Sequence, residues 1–199
     1  ISSISSDELF KLEAETERIG VCVGRPLPGI KVRIVPISEE PIENLGDVSN
    51  CDLGEIGELV VAGPNVSQKY DQNPNANMLS KVLLNDNQWA HRLGDLGHLD
   101  EVGRIWFCGR KTHRVVTPNS TLFTVPIESI FNKHTAVLRT ALVGIRKSPN
   151  QQPILCVELN PGKSLHRRRI RKELLQIARE NPNTSEIKKI LFHRGFPVD

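Results

Sequence analysis

Along the first hundred residues, apolar positions come in short runs broken by glycine, proline and asparagine. This is the spacing of strands and turns rather than of long helices. The exception is 5–18, where Leu9, Phe10 and Leu12 share one side of a Glu-rich segment that Ser6 can cap, which predicts a short helix. Pro28-Gly29 is a turn into a strand through Val32, Ile34 and Val35. Glu39 to Asp52 reads as a polar loop. Gly54 and Gly63-Pro64 bracket a strand in Gly-Glu-Ile-Gly-Glu-Leu-Val-Val-Ala-Gly-Pro. Gln68 to Gln88, Asn-rich around Pro74, reads as a surface loop with a helical turn near Met78–Val82. The stretch His91 to Lys111, HRLGDLGHLDEVGRIWFCGRK, predicts a tight hairpin turning at Leu99–Arg104, where polar residues and Gly103 gather.

From His113 the pattern changes to an alternation of strands and helices. Arg114–Val116 is strand-like, Thr117–Ser120 a turn, and Leu122–Val125 a second short strand. Pro126 suits the first turn of a helix reaching about His134. Val137–Ile145 and Pro153–Leu159 predict strands joined by a polar turn at Lys147–Gln152. Ser164 is placed to cap a helix to about Glu180, with Leu165, Ile170, Leu174, Ile177 and Ala178 as its apolar face. Asn181-Pro182-Asn183 ends that helix, and Ile187–His193 closes the chain as a strand.

Composition narrows the classes. With 26 Lys and Arg against 23 Asp and Glu, the net charge is +3, which argues against a strong polyanion partner. The basic run His166–Lys172 invites a nucleic-acid reading. However, Ile170 belongs to the apolar face, no aromatics are interleaved, and Glu173 and Glu180 follow, so a solvated helix face is the expectation. A non-catalytic basic binding module is kept as an alternative. No apolar run is long enough to span a membrane, and the Ser- and acid-rich start is not a signal peptide. Cys22, Cys51, Cys108 and Cys156 lack paired metal spacing and read as reduced thiols of a cytoplasmic protein. His98, His113, His134 and His193 also lack metal spacing, so no metal site is expected. The chain begins at Ile1 rather than Met and stops at Asp199 directly after Phe196-Pro197-Val198, so both ends read as cut.

The candidate chemistry sits on the hairpin. Paired strands would hold Asp95 and Arg110 on neighbouring ends. A carboxylate accepts from the hydroxyl protons of a vicinal diol such as a ribose, and a guanidinium donates to its oxygens. Such a pair is more often a plain surface salt bridge.

These residues resemble the paired core motifs of the adenylate-forming superfamily, which includes acyl-CoA synthetases, luciferase and peptide-synthetase adenylation domains. That pattern reads Tyr-Arg-Thr-Gly-Asp, then after about a dozen residues Gly-Arg-Asp/Lys. Gly94, Asp95, Gly109 and Arg110 match, while His91 replaces Tyr and Leu93 replaces Thr. The stretch Gly24 to Val32, the strand bracketed by Gly54 and Pro64, and Pro126-x-Glu128 are similar to other family motifs in the family's order. The likeness therefore covers nearly the whole chain. HRLGDLGHLD, IWFCGRKTHRV and LFHRGFPVD are similar to the branch that closes β-lactones in bacterial olefin biosynthesis.

The resemblance implies an α+β fold: a β-barrel-like subdomain at 1–109 ending a large N-terminal domain, a hinge at 110–111, and an incomplete α+β lid domain at 112–199. It implies nucleotide binding by Asp95 and Arg110 through the ribose, and a pivot at Lys111. His91 would pack or hydrogen-bond near the nucleotide, and Glu128 would be mostly structural. ATP and Mg²⁺ are implied, with the phosphate loop and the Mg²⁺ ligands upstream and the catalytic lysine beyond Asp199, so no catalytic residue is expected within the chain and it is expected to be inactive alone. The substrate would be a carboxylic acid, a long-chain β-hydroxy acid for that branch, and contacts with other pathway enzymes would follow. The family's Lys-x-Arg-Gly-x-Arg loop, which lines the pantetheine channel of acyl-CoA synthetases, is replaced by Thr117–Thr121 without its glycine. This disfavours CoA and fits capture of the acyl adenylate by the substrate's own β-hydroxyl. An acyl-CoA or fatty acyl-AMP ligase is the alternative.

Overall fold

The computed structural model describes residues 1–85 and 88–197. The chain divides into two compact units, Ile1–Thr112 and His113–Asp199.

The first unit runs β1 (Ser2–Ser3), α1 (Ser6–Leu12), α2 (Thr16–Ile19), β2 (Val21–Pro26), β3 (Lys31–Val35), β4 (Gly57–Ala62), α3 (Pro74–Ser80), β5 (Lys81–Asn85), β6 (Gln88–Leu99) and β7 (Ile105–Arg110). Its strands form one antiparallel sheet in the order β1-β2-β7-β6-β4-β3, with β5 also pairing β6. This is the curled half-barrel expected from the family resemblance. β4 is buried at every position, so Leu59–Ala62 read as a continuous apolar run rather than an alternation, while Glu58 is a charge buried within the strand. Val35, Leu45, Val60, Val82 and Ala90 make one core cluster, and Ile34, Leu59 and Ile105 another. The β6–β7 hairpin turns where Asp100 Oδ1 accepts the amides of Val102 and Arg104 at 3.1 and 2.8 Å.

The second unit runs β8 (Val115–Val116), β9 (Thr121–Leu122), α4 (Thr124–Asn132), β10 (Val137–Ile145), β11 (Gln152–Leu159), α5 (Arg167–Glu180) and β12 (Lys189–His193). β10 and β11 form a hairpin, and β12 pairs β11 in parallel after the α5 crossover. Ile170, Leu174 and Ala178 of α5 pack with Phe131, Leu155, Val157 and Ile190 into one core. A fully buried Leu174 or Leu155 contributes about 2 kcal/mol through burial. The α+β class is the one the sequence implies.

Several local expectations are corrected. The N-terminal helix is broken by a 3-10 turn at Glu13–Glu15, its cap is Ser5 rather than Ser6, and Phe10 faces solvent. The Asn-rich stretch is a loop only through Asn73: that residue caps α3 by accepting the Ala76 amide at 3.1 Å, so the helical turn starts earlier than expected, and β5 follows directly. Asp86 and Asn87, within that stretch, lie outside the described residues. The strand expected at Leu122–Val125 stops at Leu122, because α4 begins at Thr124, two residues before Pro126. The last helix starts at Arg167 after a 3-10 turn at Ser164–His166, so Leu165 is not on its buried face but 90% exposed. The Ser164 side chain, expected as the cap, lies outside the description. No helix among the described residues is long and apolar enough to cross a membrane.

Candidate functional site

The hairpin does what its sequence demands. β6 and β7 set Asp95 directly opposite Arg110, and Nη1 of Arg110 lies 2.7 Å from Oδ1 of Asp95. Each charge follows a glycine in the left-handed region, Gly94 at φ +69° and Gly109 at φ +129°. An L side chain there costs about 1–2 kcal/mol. Around Gly94 the strand leaves regular pairing. Leu96 faces Glu58 and Arg92 faces Val60, so residues 93–95 of β6 stand against one residue of β4. A bulge of this kind re-aims the side chain that follows it, here the Asp95 carboxylate.

The pair is close but not fully engaged. Nη1 of Arg110 donates to the Leu93 carbonyl at 3.3 Å, and the buried Oδ1 of Asp95 accepts no aligned hydrogen bond. Burial pushes the Asp95 carboxyl above its ordinary range, while the Arg110 charge pulls it back. The result is an acid held beside a cation, with part of the Asp95 side chain still open to solvent. The Arg110 side chain is 56% exposed, which leaves its further N–H groups room for a ligand.

A second feature of the unit was not singled out from sequence. Glu58 on β4 is 1% exposed, and its Oε2 accepts Arg92 Nη2 at 2.7 Å and Nε at 3.2 Å. Nζ of Lys111 reaches the same carboxylate at 3.2 Å and the Ser38 carbonyl at 3.0 Å. Arg92 also donates to the carbonyls of Glu40, Leu79 and Ser38. Lys111 is thus no ordinary exposed lysine, since its side chain is 14% exposed and tied to a buried carboxylate. The available signal was the glutamate of the Gly-Glu-Leu stretch and the arginine preceding Leu93-Gly94-Asp95. Their partnership spans 34 residues and has no local periodicity.

His91 makes packing and hydrogen-bonding contacts. Nδ1 lies 3.1 Å from the Ser80 carbonyl and Nε2 lies 3.2 Å from the Tyr70 hydroxyl, with the rings edge to face. Burial, then the nearby Lys81 charge, lowers its basicity. Cys108 on β7 is fully buried, with a thiol pushed up to about 12 by burial.

In the second unit, Oε1 of Glu128 accepts the Leu142 amide at 2.8 Å. Burial pushes this carboxyl up to about 7, with the amide bond acting against it. The Thr117–Ser120 turn closes on itself through Ser120 N–H to Thr117 Oγ1 at 2.9 Å, and Ser120 Oγ donates to Glu186 at 2.6 Å. Among the described residues, no three His, Cys, Asp or Glu side chains gather as a metal would require.

Comparison with known proteins gives likenesses in sequence and in fold. The chain is 40% identical over its whole length to an olefin β-lactone synthetase of Xanthomonas campestris and 37% identical to one of Stenotrophomonas maltophilia. It spans 37% of the length of each. Among solved structures, it is similar to o-succinylbenzoate CoA synthetase of Bacillus subtilis in complex with the acyl-adenylate intermediate OSB-AMP. There the TM-score is 0.67 and the identity 26%, over 93% of this chain and 34% of that one. No protein-family model matches the chain.

Proposed function

We infer that this chain, which belongs to the adenylate-forming superfamily, is a segment of an ATP-dependent enzyme that activates a carboxylic acid. In that reaction the carboxylate oxygen attacks the α-phosphorus of ATP, pyrophosphate leaves, and acyl-AMP forms. Asp95 holds the ribose by accepting from its hydroxyl protons, and Arg110 donates to the hydroxyl oxygens. The observation that carries this reading is the Asp95–Arg110 pair held 2.7 Å apart across the hairpin, with the arginine side chain still half exposed and N–H groups to spare. Fixing the sugar orients the α-phosphate for in-line attack.

The remaining machinery is assigned to other parts of the protein. A phosphate loop and the Mg²⁺ ligands would precede Ile1, and the lysine that offsets charge at the α-phosphate would follow Asp199. The segment alone is expected to be inactive, because that compensation must be in place before reaction. Residues 110–111 form the hinge between a barrel-like subdomain at 1–109 and a lid at 112–199, with Lys111 absorbing the backbone rotation. The protein is cytoplasmic and contacts other enzymes of its pathway.

The substrate is a long-chain β-hydroxy acid whose hydroxyl oxygen attacks the acyl-AMP carbonyl, expelling AMP and closing the four-membered lactone. Support comes from the activity named for the two relatives and from the Thr117–Thr121 stretch, which has no glycine for a pantetheine channel. A CoA ligase is the second reading, favoured by the likeness to a CoA synthetase.

The test is Asp95→Asn in the full-length enzyme, which keeps the shape and removes the charge. Two charge-assisted hydrogen bonds at about 1.5 kcal/mol each predict a KM for ATP raised by roughly 150-fold. An unchanged ATP dependence refutes the ribose assignment. A thioester product with CoA would instead select the second reading.

A further inference from the structure

The net charge of +3 conceals a sharp division. The unit 113–199 holds 15 Lys and Arg against 6 Asp and Glu, giving +9. The unit 1–112 holds 11 against 17, giving −6. Much of the excess lies on the first turns of α5. Arg167, Arg168, Arg169, Arg171 and Lys172 are all exposed: Arg168, Arg169 and Lys172 lie opposite the buried Ile170, Leu174 and Ala178, and Arg167 and Arg171 flank that face. Of these five, Arg169 is ion-paired, to Glu173 at 2.7 Å. Arg167 and Arg171 lie over the Phe192 ring at 5.8 and 5.2 Å, which holds their guanidinium groups in place.

Two further observations join at the start of this helix. Leu165 projects from the 3-10 turn with 90% of its surface exposed, between Lys163 and the arginines. Beside it is a polar cavity of about 480 Å³ lined by Arg167, His193 and Arg194 together with Asn160 and Gly162. His193 Nδ1 accepts the Gly195 amide at 3.3 Å, which leaves the ring proton on Nε2, a donor.

We propose that this ridge is a peripheral docking surface for an anionic phospholipid bilayer. Leu165 enters the boundary between headgroups and acyl chains. Arg168 and Lys172 face the negative surface, and one lipid phosphate seats in the cavity of Arg167, His193 and Arg194. A cationic face and an apolar tip together match such a surface. A nucleic acid would use the cations but has no place for the leucine, and the nearby Phe192 ring is covered by arginines rather than open for stacking. The inference is independent of the adenylation reading.

The experiment is co-sedimentation of the full-length protein with phosphatidylcholine vesicles, with and without phosphatidylglycerol. Binding is expected with phosphatidylglycerol present and should weaken as salt rises. Arg168→Ala with Lys172→Ala should weaken it about 25-fold, about fivefold per cation. Leu165→Ser should weaken it about tenfold. All three positions are exposed, so circular dichroism should be unchanged. No sedimentation with either vesicle overturns the proposal. So does vesicle binding indifferent to these substitutions, or tighter binding to an RNA duplex that ignores Leu165→Ser. Loss of vesicle binding on adding inorganic phosphate at matched ionic strength would reassign the cavity to a free anion.

Discussion

Replacing Glu58 with Ala tests how the first unit carries its buried charge. The carboxylate is 1% exposed and the Arg92 side chain it pairs with is also 1% exposed, so neither is screened by water. Removing the acid leaves one buried guanidinium and the partly buried Lys111 ammonium without their counter-charge. Losing one partner of a buried pair costs roughly 3–5 kcal/mol. Arg92 keeps its bonds to three carbonyls and Lys111 keeps Ser38, which places the expected loss near the lower end, about 3 kcal/mol. Against a total of roughly 5–15 kcal/mol, that is a large share. With a urea slope of about 2 kcal/mol/M, the midpoint should fall by about 1.5 M. Both tryptophans, Trp89 and Trp106, lie in this unit, and Trp106 is 1% exposed, so fluorescence in urea reads its unfolding. The double change Glu58→Leu with Arg92→Met should recover part of the loss, because the buried guanidinium goes with its counter-charge, while Lys111 stays without the carboxylate and the carbonyls of Ser38, Glu40 and Leu79 lose a donor. The reasoning is refuted if Glu58→Ala costs less than about 1 kcal/mol, or if the double variant is no more stable than the single ones.

Two further outcomes are expected. Glu128 has a folded carboxyl raised from 4.5 to about 7, so the native state holds the proton more tightly than the unfolded chain does. The second unit should therefore lose stability as pH rises through that window, by up to about 3 kcal/mol. Glu128→Gln should flatten the profile, as read by hydrogen exchange at the Leu142 amide, and a flat wild-type profile would contradict this. Gly94→Ala should cost about 1 kcal/mol from backbone strain alone, since no atom lies within 4 Å of an added Cβ. Gly94→Asn should cost less than half as much by the same urea titration, because asparagine tolerates the left-handed region.

The hairpin and its two charges were legible because local chemistry specifies them. A polar turn fixes the register, and a glycine precedes each charged residue where the backbone goes left-handed. The β4 strand was equally plain from its bracketing glycines. What escaped depended on distant partners. β5 carries little alternation of its own and exists because β6 offers it an edge. Asn73 and Pro74 resemble loop residues but are a cap and a first-turn proline. Leu165 reads as part of the apolar face of α5, yet five residues before Ile170 it lies well out of phase with that face, and the helix begins two residues later, so the side chain points to water. The Glu58–Arg92–Lys111 cluster leaves no trace in hydrophobic patterning, since burying a charge makes sense only once its counter-charge is folded beside it.

Cys108 gives the hairpin a built-in clock. Its sulfur lies two residues before Arg110, 3.4 Å from the Ile19 carbonyl, and a thiol that ionises only near 12 is inert to alkylating reagents while the strands stay closed. Iodoacetamide can therefore capture it only during moments of strand separation, so the rate of capture counts those openings. The ratio of that rate to the rate for the same thiol in the unfolded chain converts into the free energy of parting the strands that present the Asp95–Arg110 pair.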